Sequence, residues 1–273
     1  MGFLRKLSRN LVGGQSSQPR GKEGARAYAI GDIHGRLDLL NAMLAKIEAD
    51  IAARPEKRNF IIFLGDYIDR GPASAGVIER LRTYRPANAK TIFLAGNHEE
   101  VLLRILSGDG SVLPSWLTFG GAECVESYGL QADSLRLLDE EAAAQLVRAK
   151  VPPAHLEFLE GCADTFRFGD YVFVHAGIRP GIGIEQQDRH DLRWIREPFL
   201  TDAKGHGFMV VHGHTIVSQV EERPNRIAID TGAYRSGVLT ALGIEGDERW
   251  YLATGDEDAH GGEPRSGDGM HAG

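Results

Sequence analysis

The chain has 273 residues, with 31 Lys and Arg against 38 Asp and Glu for a formal net charge of −7. That balance is too acidic for a clamp on the DNA or RNA backbone, so no nucleic-acid partner is expected. With 42% hydrophobic and 25% charged residues a sizeable core is expected, and two cysteines, Cys124 and Cys162, are too few for a disulfide framework or a thiolate metal cage.

Met1 to Val12 starts basic, but Arg5, Lys6 and Arg9 interrupt its apolar residues, leaving no continuous secretion segment. Lys6 also stands where a myristoylation signal has Ser or Thr. Leu4, Leu7 and Leu11 share a helical face, with Phe3 and Val12 near it. Residues 2–12 therefore read either as a weak basic amphipathic helix that touches a membrane or partner, or as a disordered tail. No stretch approaches the ~20 apolar residues of a membrane span, so cytoplasmic residence is the default expectation. Residues 13–26 read as a linker, the folded domain as 27–253, and the polar stretch from Thr254 as a disordered tail.

The folded part opens with a short strand, Ala27–Ile30, followed by a helical pattern in which Leu40, Met43, Leu44, Ile47 and Ile51 recur at spacings of three and four. Phe60–Leu64 and Thr91–Leu94 read as buried strands, with a helix around Val77–Arg82 between them. This alternation predicts an α/β fold with parallel strands. A helical insertion is expected over about 107–165, broken at Pro152-Pro153. Strands resume at Tyr171–Val174, Phe208–Val211, Arg226–Ile229, Val238–Ile244 and Arg249–Leu252, and this second half is expected to be more antiparallel.

Polar residues cluster just beyond these strands. The first runs into Gly31-Asp32-Ile33-His34-Gly35, where Asp32 and His34, two apart on an extended chain, point the same way and can reach one ion. The second runs into Gly65-Asp66-Tyr67-Ile68-Asp69-Arg70-Gly71, and the third into Gly96-Asn97-His98-Glu99. Asp32 and Asp66 lie 34 residues apart, and Asp66 and Asn97 lie 31 apart, each about one strand–helix–strand unit. Parallel strands would therefore set these residues side by side at the carboxyl edge of a sheet. Further on, strands lead into His175-Ala176-Gly177 and His212-Gly213-His214. Alone, Gly-Asn-His-Glu reads as a helix start with Asn97 at the N-cap, and a single histidine after a strand reads as a core residue. Five such strand ends in succession point to a metal centre. Mixed imidazole and carboxylate donors suit Mn²⁺, Fe or Zn²⁺, not the all-oxygen preference of Ca²⁺ or Mg²⁺.

These motifs closely resemble the signatures Gly-Asp-X-His-Gly, Gly-Asp-X-X-Asp-Arg-Gly and Gly-Asn-His-Glu of the phosphoprotein phosphatase branch of the calcineurin-like metallophosphoesterases. The resemblance covers about residues 27–244. It is greatest to the small bacterial and phage serine/threonine phosphatases, which have counterparts of Trp194-Ile195-Arg196-Glu197 and Ile229-Asp230-Thr231-Gly232-Ala233. It implies a central β-sandwich flanked by helices, in α-β-β-α layers, with two divalent metals, Mn²⁺ foremost, at one edge. Carried over by motif, the first metal takes Asp32, His34 and Asp66, and the second takes Asp66, Asn97, His175 and His214, with Asp66 bridging. A metal-bridging hydroxide would attack phosphorus. Arg70 and Arg196 match the family's phosphate-holding arginines, with Arg193 a nearby alternative. His98 would protonate the leaving oxygen while Asp69 holds and aims its ring. Tyr234 is a candidate substrate contact or a packing residue, and His212 reads as core.

Two departures from the family pattern stand out. Ile216 replaces a further histidine ligand of the wider superfamily, in agreement with the phosphoprotein phosphatase branch. Ala95 replaces a common Arg. The resemblance implies hydrolysis of phosphoserine and phosphothreonine in proteins, with phosphorylated proteins or peptides as partners. The alternative is hydrolysis of a diadenosine tetraphosphate-type nucleotide, and the third reading is a non-catalytic scaffold.

Overall fold

A computed structural model describes residues 18–255 of the chain. Residues 2–12, with both readings given for them, and the tail beyond residue 255 lie outside the described residues. The first half alternates as expected: β1 (Ala25–Ile30), α1 (Leu37–Ala53), β2 (Arg58–Phe63), α2 (Ser74–Thr83), β3 (Ala89–Phe93) and α3 (Asn97–Leu106). The insertion carries α4 (Leu113–Trp116), α5 (Ala122–Ser127), α6 (Ala132–Arg136), α7 (Glu140–Lys150) and α8 (Pro153–Glu160). The second half contains β4 (Thr165–Phe168), β5 (Tyr171–Val174), α9 (Arg189–Trp194), β6 (Met209–His212), β7 (Glu221–Glu222), β8 (Arg226–Ala228), α10 (Ala233–Ser236), β9 (Thr240–Glu245) and β10 (Glu248–Ala253).

These strands form two five-stranded sheets, ordered β10-β9-β1-β2-β3 and β4-β5-β6-β8-β7. The period-2 alternation of side chains decides how the layers stack. In β1, Ala25, Ala27 and Ala29 face the space between the sheets, while Tyr28 and Ile30 face the helices. In β5, Tyr171 and Phe173 point inward to the same space, whereas Val172 and Val174 pack outward against Leu192, Ile195 and Phe199 around α9. Both faces of both sheets are thereby covered, which is why β2 and β5 read as continuous apolar runs. Each large side chain buried this way contributes about 1.5–3 kcal/mol. The result is the expected sandwich of two sheets between helical layers.

Most second-half pairings are antiparallel, as expected, but β5, β6 and β8 run parallel to one another. The long connection carrying α9 allows a crossover between β5 and β6, and only β4, β7, β9 and β10 turn back by hairpin or antiparallel pairing. β4 begins at Thr165, the last residue of the stretch assigned to the helical insertion. Ala25 and Arg26, read as linker, belong to β1, and the preceding residues are tied down, with Arg20 N donating to Asp170 Oδ2 at 2.9 Å and Gly21 N to the Gly246 carbonyl at 2.6 Å. Among the described residues no helix is long and apolar enough to cross a membrane.

Because β1, β2 and β3 are parallel, and β5, β6 and β8 are parallel, each sheet delivers its strand ends to one edge. The two edges meet at the candidate site.

Candidate metal centre

The loops at this edge have unusual backbones. His34, Asp66, Asp69, Arg70 and His214 have φ of 45°, 50°, 72°, 67° and 63°, the left-handed region that costs a non-glycine residue about 1–2 kcal/mol. Such conformations persist only when their surroundings enforce them. Here the Asp66 carbonyl accepts from Ile33 N and His34 N at 3.1 and 2.8 Å, binding the first two loops together. Asp69 N donates to Ser74 Oγ at 2.9 Å, and Arg70 N to the Gly120 carbonyl at 2.9 Å. Gly71 lets the loops approach closely, since a Cβ there would lie 2.2 Å from the His34 carbonyl oxygen.

Glu99 is the hub of this scaffold, a role missed in the motif reading. The N-cap of α3 is Gly96, not Asn97, and Glu99 closes a capping box by accepting from Gly96 N at 2.9 Å. The same fully buried carboxylate accepts from Asp66 N and Tyr67 N, both at 2.8 Å. Burial, with the charge of Asp66, pushes its pKa up while the amide donors work against that rise. Glu99→Gln would turn an amide N–H towards these donors. We expect it to lower the unfolding free energy of the metal-free protein by about 2–3 kcal/mol, measured by chemical denaturation. A loss within ~0.5 kcal/mol, the range of an ordinary surface change, would remove Glu99 from this role.

The six expected metal donors converge, all of them buried. His34 Nε2 lies 3.5 Å from Asp66 Oδ2, and His175 Nε2 lies 3.4 Å from the other oxygen, Oδ1. Asp66 thus presents one oxygen to each side. Asn97 Oδ1 sits 2.9 Å from His175 Nε2 and 2.8 Å from His214 Nδ1. Asp32 Oδ2 accepts from His214 N at 3.0 Å, while Asp32 Oδ1 is buried with no hydrogen-bond partner among the described residues.

The hydrogen bonds behind these donors fit a cation site. His34 Nδ1 donates to the Ile68 carbonyl at 2.8 Å and His175 Nδ1 to the Leu64 carbonyl at 2.9 Å, so each neutral ring turns its Nε2 lone pair into the centre. Burial keeps these rings neutral, lowering the pKa of His34 and His214 to about 3 and lowering that of His175. The lone pair of His175 then meets the acceptor Oδ1 of Asn97, an arrangement that a cation between them relieves. Burial alone would raise Asp66, but the imidazoles of His175, His98, His34 and His214 hold it below the usual carboxylate range. Asp32, pushed up by burial, Asp230 and Asp66, is a carboxylate short of positive charge. The donor set and the orphaned Asp32 oxygen fit divalent metal ions.

His98 faces the same space but is held differently. Its Nδ1 lies 2.5 Å from Asp69 Oδ2, and that oxygen also accepts from Trp116 Nε1 at 2.7 Å. His34, Asp66 and His98 could by distance form a donor group of their own. The Asp69 bond argues against ligation by His98. Burial disfavours the charged ring, yet Asp66 and then Asp69 outweigh it and raise the pKa to about 9, leaving an imidazolium without a free lone pair. Divalent cations alongside would draw that value down, towards a donor able to release its proton.

Residues 25–244 match the calcineurin-like phosphoesterase family. The chain belongs to that family. The phosphoesterase is 28% identical over 235 residues to the asymmetrical bis(5'-nucleosyl)-tetraphosphatase PrpE of Anoxybacillus flavithermus, covering 78% of this chain and 88% of that one. It is 27% identical over 235 residues to serine/threonine-protein phosphatase 1 of Salmonella typhimurium, covering 82% and 94%. A crystal structure provisionally named a diadenosine tetraphosphatase shares the fold with a TM-score of 0.59 at 18% identity, over 85% of this chain and 95% of that one.

The remaining expected residues of this phosphoesterase divide. Arg70 reaches the centre, with Nη1 2.7 Å from His34 Nε2 and its guanidinium 4.9 Å from the ring centroid of Tyr234. Tyr234 also meets His34 edge-on at 5.4 Å, so it flanks the site. Arg196 is exposed, and its charge is among the influences that lower the His214 pKa, after burial and His175. Arg193 does not fit the substrate role proposed as an alternative. It is buried, with Nε and Nη2 on Asp164 at 2.9 and 2.6 Å and Nη1 on Glu100 at 3.2 Å, and so ties α9 to α3. His212 lies in the core against Phe199, as expected. Asp230, in the Ile229–Ala233 motif, has no role that the motif itself assigns. It is buried, accepts from Gly232 N at 2.9 Å, and its proximity to Asp32 makes it a support for that ligand position. Its position at the end of a strand was the available signal.

Proposed function

We propose that this phosphoesterase hydrolyses phosphoserine and phosphothreonine in proteins or peptides, using two divalent metal ions, Mn²⁺ foremost. The observation that carries the reading is the His98–Asp69 pair. A serine or threonine alkoxide is a poor leaving group and gains much from protonation, whereas a nucleoside phosphate leaves as a stable anion and gains little. A buried proton donor with its own carboxylate is the equipment that an alkyl ester requires.

Asp32, His34, Asp66, Asn97, His175 and His214 would hold the ions, which when bound supply Lewis acidity to the phosphoryl group and to the attacking water. Arg70 and Arg196 would bind the non-bridging oxygens and stabilise charge that grows in the transition state. As the bond from phosphorus to the leaving oxygen breaks, that oxygen keeps the electron pair and takes the proton from His98 Nε2. Water supplies the new oxygen on phosphorus, and a proton released by water restores His98. Throughout, Asp69 holds the Nδ1–H side of the ring.

The second reading, hydrolysis of a dinucleoside tetraphosphate, is favoured by the name of the Anoxybacillus relative. A panel with Mn²⁺-loaded protein separates the two. The expected result is faster cleavage of a phosphothreonine peptide than of diadenosine tetraphosphate, judged by kcat/KM. The reverse order would replace the first reading with the second, and turnover of neither substrate by metal-loaded protein would support a binding scaffold.

A further inference from the structure

One segment of the insertion reaches into the site. Between α4 and α5 the chain leaves helical geometry at a kink within 117–121, with Phe119 at φ −98°, ψ 21° and Gly120 at φ 115°. Two groups of this turn touch the site's loops. Trp116 Nε1 donates to the Asp69 oxygen that also holds His98, at 2.7 Å. The Gly120 carbonyl accepts from Arg70 N at 2.9 Å, securing one of the left-handed residues.

The fit is close on both sides. A Cβ on Gly120 would lie 2.6 Å from Arg70 Cγ and 2.8 Å from Arg70 N, and a Cβ on Gly121 would lie 2.3 Å from the Trp116 ring. Trp116 is itself buried, so its indole N–H has no water to turn to, and Asp69 is its partner. With both donors on Oδ2, the carboxylate is fixed from two directions, by the residue it aims and by one that takes no part in the chemistry.

We propose that the turn at 116–121 is a positioning element for catalysis: Trp116 fixes the Asp69 carboxylate that aims His98, and Gly120 fixes the backbone of Arg70. This rests on the reading of His98 as proton donor, not on which ester is the physiological substrate. Trp116 is a positioning residue, because it acts through Asp69. The consequence is a division of labour within one turn, with the indole serving the leaving group and the carbonyl serving the phosphoryl group.

Trp116→Phe keeps an aromatic ring and removes the N–H. In Mn²⁺-loaded enzyme, kcat for a phosphothreonine peptide is expected to fall about tenfold, with KM within about twofold and a loss below about threefold for p-nitrophenyl phosphate. Added to Asp69→Asn, the same change should cost little more, since the two residues act through one bond. In the metal-free protein the His98 Nδ1–H proton resonance should broaden as Asp69 gains freedom. Gly120→Ala should raise KM for both esters about fivefold or more, without the leaving-group bias.

Equal losses on the two esters together with an unchanged His98 resonance would overturn the Trp116 half, and an unchanged KM in Gly120→Ala would overturn the Arg70 half. If Trp116→Phe does not fold, benzothienylalanine at position 116 keeps the indole shape without the donor, and the same outcomes apply. His98→Asn serves as the reference. A leaving-group bias in His98→Asn but not in Trp116→Phe rejects the clamp alone, whereas no bias in His98→Asn rejects the proton-donor reading beneath it.

Discussion

Asp66→Asn is expected to strip metal from the centre and lower turnover of every phosphoester by about 10³-fold or more. Asp66 is the ligand proposed above to serve both ions, and its Oδ2 faces His34 while its Oδ1 faces His175. An amide in its place has one acceptor and no charge, so one side loses its oxygen and both lose the anion. Several kcal/mol of transition-state stabilisation disappear with the metals, which corresponds to the stated fold-change. The metal-free fold should survive, because Glu99 grips the backbone N–H of Asp66 and not its side chain. The measurements are metal content per chain and the thermal shift on adding Mn²⁺. A variant that keeps both its metal and its turnover would refute the bridging assignment.

His98→Asn should have a different signature. Metal content is retained, while turnover of a phosphothreonine peptide falls by about 10²–10⁴-fold, the usual contribution of a positioned acid. An aryl phosphate should lose much less, since its leaving group needs little protonation. Asn cannot carry the proton, but its side-chain amide can still donate to Asp69, which also keeps the Trp116 indole N–H as a donor. Equal losses on the two substrates would show that His98 serves binding or structure. Together the variants separate metal assembly from proton delivery.

Much of the site was legible in the sequence because its chemistry is local. Asp32-X-His34 and Asn97-His98 sit on short segments just beyond apolar strands, and strand order follows from spacing. The direction of β5, β6 and β8 was not legible, because it depends on whether a long connection crosses over or turns back. Glu99 and Trp116 were missed as positioning groups for a related reason. Their partners are backbone amides and a carboxylate more than thirty residues away, brought close only once the loops fold onto α3 and α4. Arg193 had the right residue type near the right motif, and only the pairing with Asp164 and Glu100 reveals that its donors are taken.

The five left-handed backbones also set terms for engineering this enzyme. At each of them a side chain proposed above to serve the chemistry occupies a conformation that glycine would adopt at lower cost, by about 1–2 kcal/mol. A library screened only for heat resistance would accept such relief, first at half-buried Arg70, and would return sturdier proteins without the guanidinium proposed to hold phosphate. Tolerance to heat without that sacrifice has to come from elsewhere. Leu137 and Leu146 of the insertion, 88% and 44% exposed, are places where polar replacement asks nothing of the catalytic edge.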